Sequence, residues 1–336
     1  MLAITAGVIL FALAPDVRFV ATDGSAKSLS LWRGYYTLVV TGLNPRESKD
    51  LETIRGLAVI EPDDKKYALV CLTSATPEEL SKIAEDARIR KGLFFSEEEA
   101  FVALGVREGG EIRRKAILVN PRGYVVKIWD GMSSEFAQVF AEWISGSSLP
   151  IGAEAFDPRP LFFRSLWEDL NLAEFGIEYS WRKPDEEKGL LVLFLSTTGS
   201  VDELYIERIR RIGEICKSKG VGVIGCFPNY DETPETVFFY AKNAKFEFPC
   251  AVDVGGCIAD VYRATRTPEA FLLDSKGRVF YAGSIDSTTR ADDRVVPYLE
   301  RAIEALVGGK KPKPDKTIPF GTIIKRTEAD ERQRTG

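Results

Sequence analysis

Histidine is absent from the 336-residue chain. Its absence removes every Ser–His or Cys–His dyad and every imidazole-ligated metal site. Cysteine is sparse: there are five, an odd number, and no Cys-x2-Cys pair occurs. This excludes a secreted disulfide framework and leaves no zinc-ligand spacing. No metal and no cofactor is expected. Methionine occurs twice and glutamine only at 138 and 333, a bias in the direction of thermophile proteins. Positive charge is not in excess. The net charge of −5 gives no electrostatic footprint for nucleic acid. Apolar runs of about 18 residues or more are missing, so no segment is expected to span a bilayer.

What is present is the balance of a soluble globular chain, 45% apolar and 28% charged, long enough for two domains. Residues 2–14 are largely apolar and end in Ala12-Leu13-Ala14, which imitates a signal-peptidase site. A basic leader is lacking, however, and Pro15 would follow the cut. The segment 1–13 therefore reads as a buried first strand or helix of a cytoplasmic protein. A signal or short anchor at 1–14, implying a periplasmic or membrane-associated chain, is the alternative.

One order of elements occurs twice. In the first pass "YYTLVV" is a β-branched strand leading into the loop Thr41-Gly42-Leu43-Asn44-Pro45. The strand "YALVCL" follows, and then a helix start at Thr76, with Pro77 at its first position and acids in its first turn. "KAILVNPRGYVVKIWDG" reads as a hairpin, and a helix over about 133–145 closes the unit. In the second pass the strand 190–195 enters the loop Thr197-Thr198-Gly199-Ser200 and a helix over 202–217. Tyr205, Ile209, Ile212 and Cys216 mark one face of that helix. "VGVIGCF", a helix start at Thr233-Pro234, the hairpin "EAFLLDSKGRVFYAG" and a helix ending at glycines complete it. The spacing agrees: 81 residues from Gly42 to Gly123, and 78 from Gly199 to Gly277. The pattern predicts α/β architecture in two domains, 14–146 and 161–309, each a mixed central sheet flanked by helices. A Gly/Ser/Pro-rich linker at 147–160 and a tail at 310–336 complete the chain.

The second pass resembles a known family. "RATRTPEAFLLDSKGRVFYAGSID", "FPNYDETPE" and "FEFPCAVDVGGCIADVYRA" are similar to the redoxin branch of the thioredoxin-like superfamily, the alkyl hydroperoxide reductase/thiol-specific antioxidant group. The resemblance covers residues 160–325, and extends to 14–146 through "APDVRFVATDGSAKSLSLWRG". It implies two tandem thioredoxin-like domains. It also implies a catalytic cysteine in the strand-to-helix loop, activated by the helix N-terminus. Here Thr198 or Gly199 stands at that position, and Ser200 replaces the proline that often follows. "TGLNPRES" carries no cysteine in the first pass either, and Thr322 stands where the family often has a cysteine after the glycine of "IPFGTII". A hydroxyl cannot take over without a base. Thr267-Pro268 matches the superfamily's cis-proline, whose preceding backbone groups would be left available to an extended peptide; the first pass has Arg113-Arg114 there.

Cys71 and Cys216 read as core residues. Cys226 follows a core strand. Cys257 opens a helix, which would favour its thiolate, and Cys250 lies close enough in sequence to pair with it. Asp253, Asp260 and Asp274 are spaced like turn and cap residues. The leading expectation is a degenerate, non-catalytic tandem redoxin acting through a protein partner, self-association or a structural role. The alternative is a thiol-disulfide oxidoreductase or peroxidase with relocated cysteines, Cys257 with Cys250 or Cys226.

Overall fold

The computed structural model describes residues 13–60, 67–89, 92–96, 98–108, 110–133, 135–146, 148–159, 187–288 and 295–328. The N-terminal segment before Leu13 and the residues 160–186, where the second domain is expected to begin, lie outside the described residues. The chain divides into two compact units, one running to Gly146 and the other from residue 147 to Glu328.

In the first unit, β1 (Arg18–Ala21) and β2 (Ala26–Ser28) form an antiparallel pair. They precede β3 (Tyr36–Thr41), α1 (Ser48–Ala58), β4 (Tyr67–Thr73), α2 (Pro77–Ala87), β5 (Leu93–Phe95) and α3 (Glu98–Ala103). A small hairpin of β6 (Arg107–Glu108) and β7 (Glu111–Ile112) leads to β8 (Lys115–Val119), β9 (Val125–Asp130) and α4 (Phe136–Ser145). The described strands build a sheet in the order β2-β1-β5-β4-β3-β8-β9. β3, β4 and β5 are parallel, while β8 and β9 run antiparallel. Every residue of β3 is buried, which is why "YTLVVT" reads as continuous rather than alternating. Val39, Val70, Phe94, Phe101 and Ile117 form an apolar cluster against α3 and β1.

The second unit contains β10 (Gly189–Phe194), α5 (Ser200–Lys219), β11 (Val221–Phe227), α6 (Pro234–Asn243), β12 (Cys250–Val252) and α7 (Cys257–Tyr262). These are followed by β13 (Arg266–Thr267), β14 (Glu269–Asp274), β15 (Val279–Gly283), α8 (Tyr298–Val307) and β16 (Thr322–Ile323). The sheet order is β12-β11-β10-β14-β15. Again three strands are parallel and the last two antiparallel. One face of α5, Tyr205, Ile209, Ile212 and Cys216, packs with Leu191, Leu193 and residues of α8. On the other face Phe194, Tyr262 and Phe271 meet edge to face, with centroids 5.1–5.8 Å apart.

Two stretches read from the sequence as a linker and a tail are integral to this unit. Residues 148–159 run beside the β14–β15 hairpin: the Gly152 N–H donates to the Val279 carbonyl (2.7 Å), and that of Ala155 to Gly277 (2.9 Å). Buried Arg159 then bridges Asp157 and Glu187. Beyond α8, the Thr317 N–H donates to Ala282 and the Ser284 hydroxyl to Ile318. The sequence of these segments is rich in Gly, Ser, Pro and Lys. Their order comes from backbone hydrogen bonds, which composition does not register.

Candidate functional site

The loop after β10 and the strand entry at β13 lie side by side at one end of the second sheet. The Thr267–Pro268 peptide bond is cis. Between the two sits Asp202, in the first turn of α5 and fully buried. Its Oδ1 accepts the Ser196 N–H at 2.9 Å, and its Oδ2 pairs with the Thr267 hydroxyl at 2.9 Å. A carboxylate therefore joins the loop to the strand entry. It also fills the space of a side chain at 199: a Cβ built on Gly199 would lie 2.1 Å from Asp202 Oδ2. Glycine is required there by close approach rather than by its dihedral angles.

A second carboxylate supports the loop. Glu232 Oε1 accepts the Thr197 N–H (2.7 Å), and Oε2 that of Asn229 (3.1 Å). The Asn229 amide reaches Ser196 Oγ at 2.9 Å, and Thr198 N–H donates to the same oxygen. The third carboxylate, Glu269, follows Pro268 and is fully buried in β14. Its Oε2 accepts the N–H groups of Thr265 and Arg266, and its Oε1 has no hydrogen-bond partner. Burial raises all three acids. Desolvation pushes Asp202 and Glu269 up to about 7, opposed by the hydrogen bonds they accept, and lifts Glu232 as well.

The first unit also holds a buried acid in the first turn of a helix. Asp50, in the first turn of α1 and buried, accepts the Asn44 N–H at 2.8 Å and pairs with Arg114 at 2.9 Å. Arg114 immediately precedes β8, as Pro268 precedes β14. The basic run at 113–115 is partly internal: Arg114 faces Asp50, and buried Lys115 pairs with Asp130.

The cysteines are not gathered here. All five lie among the described residues, and none forms a disulfide. Cys71, Cys216, Cys226 and Cys257 are buried, and Cys250 is half-buried. Burial pushes the Cys250 and Cys216 thiols up to about 12 and Cys226 well above its ordinary value. Cys257 does open α7, as its sequence position implies, but it is only 1% exposed. The N–H groups of Ile258 and Ala259 are already taken by the Asp253 carboxylate. Asp260 pairs with Arg326, and Asp274 closes the hairpin turn by accepting from Lys276 and Arg278. Among the described residues no group of three or more His, Cys, Asp or Glu side chains is placed to hold a metal ion. No helix among them is long and apolar enough to cross a membrane.

The backbone edge before Pro268 is not open, contrary to the expectation from the sequence. β16 pairs with β13, with Thr322 opposite Thr267 and Ile323 opposite Arg266. An edge presenting bare N–H and C=O groups is a liability that folds cover, and here the chain covers it with its own later segment. Asp202, Glu232 and Glu269 escape the sequence reading, as does the pairing of Thr322 and Ile323 with β13. Only Glu269 leaves a direct trace, as an acid inside an otherwise apolar strand.

No protein-family model matches the chain. Over 92 residues, 27% of this chain, it is 32% identical to the thiol-disulfide oxidoreductase ResA of Bacillus thuringiensis, and equally to ResA of Bacillus cereus. That stretch is 52% of each relative, so the chain spans about half the length of the curated relatives it matches. A hypothetical protein from Sinorhizobium meliloti is a similar solved structure: 27% identity, 47% of this chain and 85% of that one, TM-score 0.40. A peroxiredoxin Q variant from Xylella fastidiosa is another, with 11% identity, 40% and 94% coverage and TM-score 0.37. The fold is thioredoxin-like. Three parallel strands, an antiparallel pair and helices on the sheet faces carry it, alongside the similarity to ResA.

Proposed function

We propose that this chain is a tandem pair of redoxin-type domains that have lost thiol chemistry and work by binding protein. The observation that carries this reading is the buried carboxylate packed into the strand-to-helix loop where the resemblance implies a cysteine at Thr198 or Gly199. At Gly199 the space of a cysteine side chain is taken by Asp202, which is tied to both neighbouring segments. In the first unit buried Asp50, also in the first turn of a helix, joins the Asn44 N–H to Arg114. A missing cysteine alone is a single substitution. A buried acid that fills the space beside Gly199 and ties the neighbouring segments together is a built arrangement. Burial of Cys71, Cys216, Cys226 and Cys257 supports the same reading, since a thiol kept away from solvent is poorly placed to attack or be attacked.

The second reading is a thiol-disulfide oxidoreductase or peroxidase built on Cys257 with Cys250 or Cys226. The similarity to proteins named thiol-disulfide oxidoreductases favours it. It requires Cys257 to leave its buried place and Cys250 to ionise from about 12.

Peroxide consumption and disulfide reduction by the reduced chain separate the two. The binding reading expects no turnover beyond that of a free thiol at equal concentration, for the wild type and for Cys257→Ser alike. Fast turnover in the wild type, lost in Cys257→Ser, would replace it with the enzyme.

A further inference from the structure

A cleft of about 390 Å³ opens in the first unit where β4 and β5 begin. Its other walls come from α2, from Ala21 at the end of β1 and from the short turn Leu29–Trp32. Space exists there because small residues surround it. Ala68 and Ala84 line it. Gly92, just before β5, has φ at 98°, and a Cβ on it would lie 2.8 Å from the Leu69 side chain. The size suits a ligand. Apolar cavities of about 150 Å³ hold benzene, and binding clefts begin at about 300 Å³.

Two features set the chemistry of an occupant. The first is an aromatic wall. Trp32, Tyr35, Tyr67 and Phe94 line the cleft. The Trp32 ring centre lies 5.6 Å from that of Phe19 and 5.7 Å from that of Phe94. The turn beneath it is tied down, since the Tyr35 N–H donates to the Trp32 carbonyl and the Gly34 N–H to that of Pro121. The wall is thus fixed before any ligand arrives, which lowers the ordering cost of binding. The second feature is charge. None of the described residues that line the cleft carries a charged side chain. A charged ligand would lose water there without gaining a partner. Leu31, which lines the cleft, is 62% exposed, and an apolar occupant would remove part of that surface from water.

We propose that this cleft binds a small, flat, uncharged aromatic molecule of two fused rings. Its volume exceeds about twice that which holds a single ring. The ligand's rings meet Trp32 and Phe94 face to face or edge to face, and Ala68 and Ala84 leave the width for them. The lining residues all belong to the first unit, and none comes from the strand-to-helix loop of either unit. The site therefore goes beyond the protein-binding reading above and does not depend on it.

The test uses the full chain and two naphthalene dyes of similar size, followed by fluorescence titration. Propionyl-dimethylaminonaphthalene is uncharged, and dimethylaminonaphthalene sulfonate is an anion. The uncharged dye is expected to bind one per chain, with a blue shift in emission, at least about tenfold more tightly than the sulfonate. Ala84→Phe fills the cleft from α2 and is expected to weaken the uncharged dye at least about tenfold. Leu31→Ala is expected to weaken it about threefold. Such dyes also settle on exposed aromatic surface. Phe238→Ser with Phe239→Ser, at rings 60% and 58% exposed in the second unit, is therefore expected to leave binding unchanged. No binding of the uncharged dye, equal affinity for the two dyes, or several dyes per chain would overturn the proposal. Binding lost in the Phe238 and Phe239 variant but kept in Ala84→Phe would do the same. If Ala84→Phe loses its native circular dichroism, Leu31→Ala decides, and unchanged affinity there would sink the cleft. These outcomes are independent of the peroxide assay, so failure of the cleft leaves the non-catalytic reading where it stands, and Cys257-dependent turnover leaves the cleft.

Discussion

At residue scale the decisive pair is Gly199 and Asp202. Placing a cysteine in the loop by Gly199→Cys is expected not to confer thiol chemistry. The new side chain must displace a buried carboxylate 2.1 Å from its Cβ, an overpacking cost of about 1–3 kcal/mol. Urea unfolding and a disulfide-reduction assay check this; gained activity with unchanged stability would contradict it. Asp202 also makes stability depend on pH. Its pKa rises from 3.8 to about 7 on folding, with burial the cause, and Glu269 rises from 4.5 to about 7. For an acid raised by folding, the native state holds the proton more tightly than the unfolded chain. The contribution is then fully present below the unfolded value and is lost as pH climbs through the folded one. Stability is expected to fall between about pH 4 and 7 from these groups. Asp202→Asn, which can still accept from Ser196 and donate to Thr267, is expected to flatten that slope. Unfolding free energies at several pH values measure it, and an unchanged slope in the variant would remove Asp202 as a cause. None of this is legible in "STTGSVDELY". An aspartate in a first helical turn is an ordinary helix-dipole residue, and only the fold brings Thr267 to its other oxygen.

At the scale of elements the sequence is more open. Thr76 and Thr233 read as helix starts, and both close capping boxes, with Glu79 and Thr236 respectively. Each is a local arrangement within four residues, which is why it can be read. Thr76→Ala is expected to cost about 1 kcal/mol, seen as a shift in the urea midpoint with unchanged slope; no shift would mean that Pro77 and the acids of the first turn suffice. The helical face of Tyr205, Ile209, Ile212 and Cys216 is likewise read from spacing and found in the core. Strand "GLLVLF" carries its burial in its composition, since a central parallel strand is covered on both faces. The elements that cannot be read are the short ones. β13 and β16 are two residues each, with no periodicity to detect. Their existence depends on each other and not on propensity.

At the scale of the molecule, each unit has its own sheet and its own apolar cluster. Differential scanning calorimetry is therefore expected to resolve two transitions, or a calorimetric enthalpy well above the van't Hoff value; a single two-state transition would contradict independent cores. The sequence by itself determined the α/β class, the repeated order of strands and helices, the helix caps and the want of a cysteine at either strand-to-helix loop. These are set by nearest neighbours and short periods along the chain. Tertiary structure alone decided what fills the space beside Gly199, that residues 148–159 and 310–328 belong to the second unit, and that the strand edge before Pro268 is filled. Asp202 and Thr267 are 65 residues apart in sequence, and Lys325 and Asn229 are 96 apart. Contacts over such distances depend on how the sheet closes, and a backbone hydrogen bond leaves no mark on the identity of the residues that make it.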